Sequence, residues 1–306
     1  MSILVELPLE LYEPKAFAAF KPVAGFDLGT ARAMAWMSQL AYESEHPDKI
    51  AAICEMWGLR GPRIIRSPPA RFARIDTRAV IAEGHGATIL AFAGTDPLVP
   101  ANWLTDFDIS VTAGNIHRGF EDATESVWSL LIEAFAARSE PTLMLAGHSL
   151  GAALAAVTSD RALAELKLRA AALYAFGMPR CGDEGFARRY NDTLGAATYR
   201  LVHGDDIVAT VPPSRLGFRH VGRLIRCARA GQFGAEVPPG FSDDPPFIGS
   251  LVAGLRQGVS DFFKLQPQPT FRDDPLGLLS GLLTPPIADH LPDRYWQAFD
   301  SVAQKR

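Results

Sequence analysis

The chain has 306 residues, a hydrophobic fraction of 48% and a charged fraction of 21%, a composition typical of a folded globular protein and not of a disordered one. Its 30 basic and 34 acidic residues give a net charge of −4, which argues against nucleic-acid binding because phosphate contacts need a cationic surplus. The cysteines at positions 54, 181 and 227 are far apart and match neither a zinc-ligand spacing nor a disulfide framework.

The N-terminal segment, residues 1–28, contains Pro8, Pro14 and Pro22 and is predicted to form an arm that lies over the domain. It has no basic start and no small-residue cleavage site, so we expect no Sec signal peptide. The corresponding expectation is a protein that is cytoplasmic or exported by a non-Sec route.

Helical and strand patterns alternate from residue 31 to residue 228. Apolar residues repeat at helical spacing in 31–42 and 117–139, whereas 87–94 is a continuous apolar run, typical of a strand buried on both faces. In chain order we predict helices at 31–42, 47–57, 117–139, 149–166 and 184–192, and strands at 72–84, 87–94, 141–147, 172–177, 197–204 and 219–228. This alternation predicts the α/β class, with a mostly parallel central sheet and helices on both faces.

Residues 141–159 carry no charged side chain and are nearly long enough to cross a bilayer. Gly147 and Gly151, with polar residues between them, interrupt this apolar run. A buried strand that leads into a buried helix is therefore the better interpretation, and we expect no transmembrane segment.

The composition changes after Gly231, since residues 238–286 hold 9 of the 23 prolines. We interpret about 232–286 as a Pro-rich helical insertion within a single domain of residues 1–306, followed by a final helix at 292–303. An apolar helix predicted at 247–263 either packs on the sheet or forms an element that binds a lipid surface.

The motif G-x-S-x-G occurs once, at residues 147–151, between a predicted strand and a predicted helix. Its glycines permit a sharp turn that raises the Ser149 hydroxyl above the sheet, near the positive end of the following helix. The backbone N–H of Leu150 then points at the developing oxyanion. The structural alternative is a serine that caps a helix between two packing glycines, but the strand–turn–helix context favours a nucleophile.

A serine nucleophile needs a base, and a third group must orient that base. In α/β-hydrolases the acid and then the base follow the serine along the chain. Of the histidines after Ser149, His290 comes after all predicted strands and is the predicted base. His203 and His220 have simpler interpretations as histidines at a strand end and at a sheet edge.

The predicted acid is Asp206, which follows the strand at 197–204 and precedes an apolar pair and two prolines that hold it against the core. Asp205 is expected to face solvent. Taken alone, Asp206 also fits the role of a helix cap, but its order and position relative to His290 favour the acid.

A second oxyanion donor is expected after the strand at 87–94, where Thr95 offers a backbone N–H and a hydroxyl. The alternative for residues 94–96 is an ordinary turn. The next segment, 96–107, is predicted to be a lid-like element whose apolar residues contact substrate, and the alternative is a core helix. The predicted substrate-contacting residues are Leu98, Val99, Trp103 and His148, the last of which packs beside the nucleophile turn.

Together these stretches resemble the class 3 lipases, the fungal triacylglycerol lipases and their bacterial relatives within the α/β-hydrolases. The matching stretches are AFAGTD, NWLTDFD, IHRGFEDA, LAGHSLGAALA, YAFGMPRCGDEGFA, YRLVHGDDIVATVPP and ADHL. The resemblance implies an α/β-hydrolase fold, a lid near residues 98–104 and the same assignments as above, namely Ser149, Asp206 and His290 as triad and Thr95 with Leu150 as oxyanion donors. One departure is Ala93, which stands where the family usually has arginine. Another group must therefore support the loop that carries Thr95.

We therefore predict a serine ester hydrolase, a lipase or carboxylesterase, that cleaves acyl esters such as acylglycerols through an acyl-enzyme. The expected partner is a lipid or small ester, at a lipid–water interface in the case of a lipase, and no metal or organic cofactor is expected. Two alternatives remain at this point. One is phospholipase A-type hydrolysis, and the other is a catalytically inactive acyl-binding protein with the same fold.

Overall fold

The computed structural model describes residues 6–67, 76–94, 110–241 and 285–300. Within these ranges the strands are β1 (Arg60–Arg66), β2 (Arg78–Gly84), β3 (Ala87–Phe92), β4 (Thr142–His148), β5 (Ala172–Phe176), β6 (Gly182–Asp183), β7 (Thr198–His203), β8 (Phe218–Arg219) and β9 (Arg223–Cys227). The α-helices are α1 (Leu28–Leu40), α2 (Pro47–Met56), α3 (Arg118–Glu125), α4 (Trp128–Ala136), α5 (Leu150–Leu166), α6 (Glu184–Thr193), α7 (Pro285–Ala288) and α8 (Pro292–Asp300).

In the described part of the chain, a seven-stranded sheet has the strand order β1-β2-β3-β4-β5-β7-β9. In this sheet β1, β2 and β3 pair antiparallel, whereas β3, β4, β5, β7 and β9 pair parallel. Strands β6 and β8 form a separate antiparallel pair. Because parallel strands end at the same edge of a sheet, the turns after β3, β4 and β7 come together there. The prediction of a mostly parallel α/β-hydrolase sheet is confirmed.

The strands of the sheet centre are buried on both faces, and their side chains alternate between two apolar layers. In β4, Met144 and Ala146 pack in the layer that contains α1 and α2, while Leu143 and Leu145 pack in the layer that contains α3, α4 and α5. Helices therefore cover both faces, as the alternating pattern predicted. The segment at 141–159 is β4 followed by α5, and among the described residues no helix has both the length and the apolar character to cross a membrane.

The predicted helix at 117–139 is wrong in one respect, because the structure has two helices there, α3 and α4. The side chains of Thr124 and Ser126 donate to the carbonyls of Phe120 and Ala123, at 2.9 and 2.7 Å. Such bonds compete with the helical backbone pattern. Val127 then adopts φ −119° and ψ 2°, which ends the first helix and lets the second begin at Trp128.

Two strand predictions also need correction. Strand β1 is absent from the predicted elements, because Gly61 and Pro62 within it are typical of a turn. The predicted strand at 219–228 is two strands, β8 and β9, separated by Gly222 at φ +75°. The strand predicted at 72–84 is described from Arg78 onward.

In the N-terminal segment, Tyr12 and Phe17 are buried in the same apolar layer as α1. Of the predicted insertion at 232–286, residues 242–284 lie outside the described residues. Residues 232–241 form no helix or strand, but Phe233 is buried and stacks on Phe299 of α8 with ring centroids 5.0 Å apart. The final helix begins at Pro292 as predicted and is described to Asp300.

Candidate active site

Ser149 lies at the sharp turn between β4 and α5. Its backbone adopts φ 59° and ψ −131°, a conformation that residues with a Cβ rarely adopt and that costs on the order of 1–3 kcal/mol. The surrounding bonds hold this turn, because the N–H of Ser149 donates to the carbonyl of Phe176 at 2.8 Å and its carbonyl accepts from Ala152 at 3.0 Å. The side chain therefore stands at the carboxyl edge of the sheet.

The two glycines of the motif are required by close backbone packing. A Cβ atom on Gly147 would overlap the backbone of Gly151, and a Cβ atom on Gly151 would overlap the carbonyl of Phe92 at the end of β3. The turn that carries Ser149 therefore lies directly against the end of the neighbouring strand, and no larger residue fits at either position.

Ser149, His290 and Asp206 form one continuous chain of buried hydrogen bonds. His290 Nδ1 lies 2.9 Å from Asp206 Oδ2, and His290 Nε2 lies 2.8 Å from Ser149 Oγ. A carboxylate only accepts, so Nδ1 carries the ring proton and the unprotonated Nε2 accepts from the serine hydroxyl. The structure thus brings together the predicted nucleophile, acid and base, although 141 positions separate Ser149 from His290.

Asp206 is held as a carboxylate by three donors. Besides His290, the backbone N–H of Val208 donates to Oδ1 at 2.8 Å and the hydroxyl of Tyr295 donates to Oδ2. Burial raises the pKa of Asp206, but the His290 ring and these donors outweigh burial, so the pKa lies below its usual value. Burial and Asp206 together raise the pKa of Tyr295 well above its usual value, so its hydroxyl stays protonated and donates. Asp205 is exposed, as predicted.

Leu150 is the first residue of α5, so its N–H has no acceptor within the helix and points out of the helix N-terminus beside Ser149. Gly94, at the end of the described segment after β3, approaches the same turn, since a Cβ atom on it would lie 2.8 Å from the Cβ of Ser149. Arg78 Nη2 donates to the Gly94 carbonyl at 3.4 Å. A guanidinium from β2 therefore contacts this loop, where Ala93 supplies no polar side chain.

The prediction that His148 contacts substrate is wrong. Its ring is 1% exposed, with Nδ1 bonded to the Tyr42 hydroxyl and Nε2 to the carbonyl of His290, both at 2.7 Å. A side chain in β4 that points into the apolar layer beneath the nucleophile turn has no surface left for a ligand. Its position beside the turn agrees with the sequence interpretation.

The remaining predicted site residues lie outside the described residues. These are Thr95 of the oxyanion loop and Leu98, Val99 and Trp103 of the lid-like segment 96–107.

The other histidines after Ser149 have partners of their own: His203 at the end of β7 lies 3.7 Å from Asp289, and His220 donates to the Ala209 carbonyl at 2.7 Å.

The sequence analysis did not predict several polar residues of the site. Tyr42, Tyr295, Asp289 and Arg229 all bond to the triad residues or to their immediate neighbours in the chain. The stretch ADHLPDRYW placed Asp289 and Tyr295 next to His290, and this proximity was the one signal available for them. No spacing rule indicated Tyr42 or Arg229.

One group in the described residues has the composition of a metal site, but its atoms are already bonded. Glu6, Glu43 and His46 offer ligand atoms within 4.8 Å of one another. Glu43 accepts from Tyr12 at 2.8 Å and pairs with Lys49 at 2.8 Å. These contacts connect the N-terminal segment to α2, so the role of this group of side chains is structural.

The parallel sheet, the strained serine turn and the buried Ser–His–Asp chain define an α/β-hydrolase fold with the arrangement of a serine hydrolase site. Residues 89–216 match the model of the lipase (class 3) family. The resemblance to this family that the motifs predicted is confirmed over this part of the chain.

Relatives and solved structures agree with this family. A secreted mono- and diacylglycerol lipase of Fusarium solani is 37% identical over 131 residues, which are 39% of this chain and 38% of that protein. A secreted mono- and diacylglycerol lipase of Malassezia globosa is 28% identical over 123 residues, 40% of each chain. The chain thus matches about two fifths of the length of these curated relatives. Lipase II from Rhizopus niveus superposes with a TM-score of 0.52 and 25% identity over 65% of this chain and 79% of that one.

The expected localisation is contradicted by these relatives. We expected a protein that is cytoplasmic or exported by a non-Sec route, whereas the relatives from Fusarium solani and Malassezia globosa are named secreted lipases. The expectation rested on the first residues, which show neither a basic start nor a small-residue cleavage site, and this is weaker information than the shared catalytic region.

Proposed function

We propose that this chain is a serine ester hydrolase of the lipase type that cleaves acylglycerols through an acyl-enzyme. The observation that carries the proposal is the buried chain of hydrogen bonds from Ser149 through His290 to Asp206, set at the carboxyl edge of an α/β-hydrolase sheet. The class 3 lipase match over residues 89–216 includes the proposed nucleophile and acid.

In the first half of the reaction the Ser149 oxygen attacks the ester carbonyl carbon while its proton passes to His290 Nε2. The carbonyl oxygen becomes an oxyanion, for which the N–H of Leu150 at the N-terminus of α5 is the proposed donor. Loss of such a donor costs on the order of 3 kcal/mol of transition-state stabilisation. Asp206 keeps the ring proton on Nδ1 and stabilises the imidazolium that forms.

Collapse of this intermediate breaks the bond to the alcohol, which takes the proton from His290 Nε2 and leaves. Water then enters, gives a proton to Nε2 and attacks the acyl-enzyme carbonyl. The second collapse returns the proton to Ser149 and releases the fatty acid. Thr95 remains the proposed second oxyanion donor, and Leu98, Val99 and Trp103 remain proposed acyl contacts.

The proposed substrate class comes from the relatives, which are named mono- and diacylglycerol lipases. A further solved structure, 25% identical over 64% of this chain, is a triacylglycerol lipase described as having a serine protease triad as its catalytic centre. We propose a single domain, since contact between Ser149 and His290 requires the middle and the C-terminal part of the chain in one site. We also propose that the protein is exported, as its relatives are named.

The test combines covalent labelling with a substrate panel. Wild-type protein should react with a fluorophosphonate at one site and release fatty acid from mono- and diacylglycerol. Ser149→Ala should lose both properties, with a fall in kcat of about 10⁴-fold or more, while Ser214→Ala, a serine outside this hydrogen-bond chain, should keep them. Labelling that persists in Ser149→Ala contradicts the assignment.

The panel also separates the alternatives. Release of fatty acid from phosphatidylcholine in preference to acylglycerol would make the protein a phospholipase A. A wild-type protein that binds fatty acid but neither reacts with the phosphonate nor cleaves any ester would be an inactive acyl-binding protein.

A further inference from the structure

Two buried side chains form a second hydrogen-bond chain, which ends on the backbone of His290. The hydroxyl of Tyr42 lies 2.7 Å from His148 Nδ1, and His148 Nε2 lies 2.7 Å from the carbonyl oxygen of His290. Tyr42, His148 and His290 are each 1% exposed. All three side chains are therefore shielded from bulk solvent.

The direction of each bond follows from its partners. The carbonyl of His290 only accepts, so Nε2 of His148 carries a proton. Burial, followed by the nearby ring of His290, lowers the pKa of His148 to about 3, so the ring is neutral and its Nδ1 has no proton. Tyr42 must then donate to Nδ1. Of the two tautomers of a neutral imidazole, the His290 carbonyl selects the one protonated on Nε2, and the Tyr42 hydroxyl satisfies the remaining lone pair on Nδ1.

His290 lies in the short connection between α7 and α8, where no helix fixes its backbone. Its N–H donates to the carbonyl of Ile287 at 3.1 Å, and its carbonyl accepts from His148. The rings of His148 and His290 also stack, with centroids 4.7 Å apart and planes inclined by 30°. The bond from His148 is thus one of the two polar contacts described for the backbone of the proposed base.

We propose that Tyr42 and His148 are positioning residues for the hydrolytic reaction. Tyr42 holds the ring of His148 through Nδ1, and His148 holds the carbonyl of His290, so that Nε2 of His290 stays directed at Ser149. This inference rests on the proposed function for its effect on turnover. The hydrogen-bond pattern that carries it is independent of any substrate.

The Tyr42 hydroxyl therefore acts on His290 through the ring of His148. In Tyr42→Phe, Nε2 of His148 still donates to the His290 carbonyl, but Nδ1 loses its donor. The ring is then hydrogen-bonded at one end only, and its orientation against the His290 backbone is no longer fixed. Because a displacement of about 1 Å at a reacting group costs roughly a hundredfold in rate, we expect kcat to fall about ten- to hundredfold with KM nearly unchanged.

The experiment reads the tautomer directly, by ¹⁵N NMR of the histidine rings, with the His148 signals assigned by their loss in His148→Gln. Wild-type protein should show His148 protonated on Nε2 alone. Tyr42→Phe should keep this tautomer but shift the signal of the unprotonated Nδ1, which has lost its donor, together with the fall in kcat. The matched control is Tyr199→Phe, which removes a hydroxyl that donates to the Ala24 carbonyl at 2.9 Å and should change neither. A wild-type ring protonated on Nδ1, or an unchanged Nδ1 signal and unchanged kcat in Tyr42→Phe, overturns the proposal.

A second pair of variants covers the case in which loss of the Tyr42 hydroxyl unfolds the protein. His148→Gln keeps an amide donor for the His290 carbonyl, whereas His148→Leu keeps the volume and removes the donor. Glutamine should retain at least tenfold more kcat than leucine, and equal kcat in the two variants overturns the proposal. The tautomer measurement uses no substrate, so failure of the hydrolase assignment, seen as activity that survives Ser149→Ala, is distinguishable from failure of this one.

Discussion

Arg229 and Asp289 form an ion pair directly beside the proposed base. Nε and Nη2 of Arg229 lie 2.9 and 2.7 Å from Oδ2 of Asp289. The same carboxylate oxygen accepts from the backbone N–H of Asp205 at 2.8 Å. Since Asp289 precedes His290 and Asp205 precedes Asp206, one buried carboxylate joins the two backbone segments that carry the proposed base and acid.

We therefore predict that Asp289→Ala weakens both stability and turnover. Loss of these charge-assisted bonds should lower the free energy of unfolding by about 2 kcal/mol, since Asp289 is buried but Arg229 is half-exposed and can be solvated. The value of kcat should fall more than KM rises, because His290 and Asp206 lose their common support. Urea unfolding and steady-state kinetics measure the two effects.

The control for this ion pair is Arg188→Gln, which removes an exposed pair with Glu184 within one turn of α6. Such pairs contribute about 0.5 kcal/mol or less, so this variant should behave as wild type. If Asp289→Ala unfolds at the wild-type urea concentration with unchanged kcat, the bonds around Asp289 do not position the site.

A second prediction concerns Tyr295, whose hydroxyl donates to Asp206. Tyr295→Phe keeps the aromatic packing but removes one of the donors that lower the pKa of Asp206. A carboxyl with a lowered pKa stabilises the fold above its unfolded pKa, near 3.9, and this contribution is lost as the pH falls through the lower folded value. Tyr295→Phe should therefore cost about 1–2 kcal/mol at pH 7 and progressively less as Asp206 becomes protonated.

Urea unfolding of wild type and Tyr295→Phe between pH 7 and about pH 2 tests this dependence, because the contribution is lost only below the usual carboxyl pKa. A stability difference that stays constant over this range would mean that the hydroxyl does not act through the charge of Asp206. Tyr199→Phe, remote from Asp206, gives the baseline for removing a buried tyrosine hydroxyl.

A third prediction follows from His148, whose pKa burial lowers to about 3. An unfolded histidine has a pKa near 6.5, so between these values the unfolded state binds more protons and stability falls as the pH falls. The loss attributable to His148 is on the order of 2 kcal/mol from pH 6.5 to pH 5, at about 1.4 kcal/mol per unit. His203, whose pKa burial also lowers, adds a loss of the same sign.

His148→Gln should therefore show a shallower decline of unfolding free energy below pH 6.5 than wild type. Above pH 7.5 the ring is neutral in both the folded and the unfolded state, so the two proteins should show the same slope there. If the unfolding free energies of wild type and His148→Gln decline in parallel below pH 6.5, the low pKa of the His148 ring is contradicted.

A fourth prediction concerns the three cysteines, which are free and buried. Burial raises the pKa of the Cys54, Cys181 and Cys227 thiols to about 12, so almost no thiolate is present at neutral pH. Native protein should not react with Ellman's reagent within minutes, and urea should release three equivalents. Rapid reaction of native protein, or fewer than three thiols after unfolding without reductant, contradicts this arrangement.

The triad was predictable because its chemistry follows a rule of order along the chain. The motif around Ser149 fixed a turn, and the requirement for an acid and then a base left few candidates, of which Asp206 and His290 met the positional conditions. The alternating strands and helices likewise predicted the sheet, because strands buried on both faces have continuous apolar sequences.

The contacts that support the triad were not predictable in this way. Tyr42 and His148 are 106 positions apart, and each looks like an ordinary core residue in its own segment. Arg229 lies in a stretch without periodic pattern, 60 positions before Asp289. The break between α3 and α4 depends on side-chain bonds of Thr124 and Ser126 that an amphipathic pattern does not report.

Trp36 in α1 and Trp296 in α8 stack with ring centroids 4.3 Å apart and planes inclined by 22°. They join the first and last helices of the described chain, and loops of this length close late in folding because local contacts form first. The proposed base precedes Trp296 by six positions and enters the site with the same helix. We therefore expect a newly made chain to fold its serine turn first and to remain unreactive until these two indole rings meet, so that tryptophan fluorescence during refolding reports the moment at which the site becomes complete.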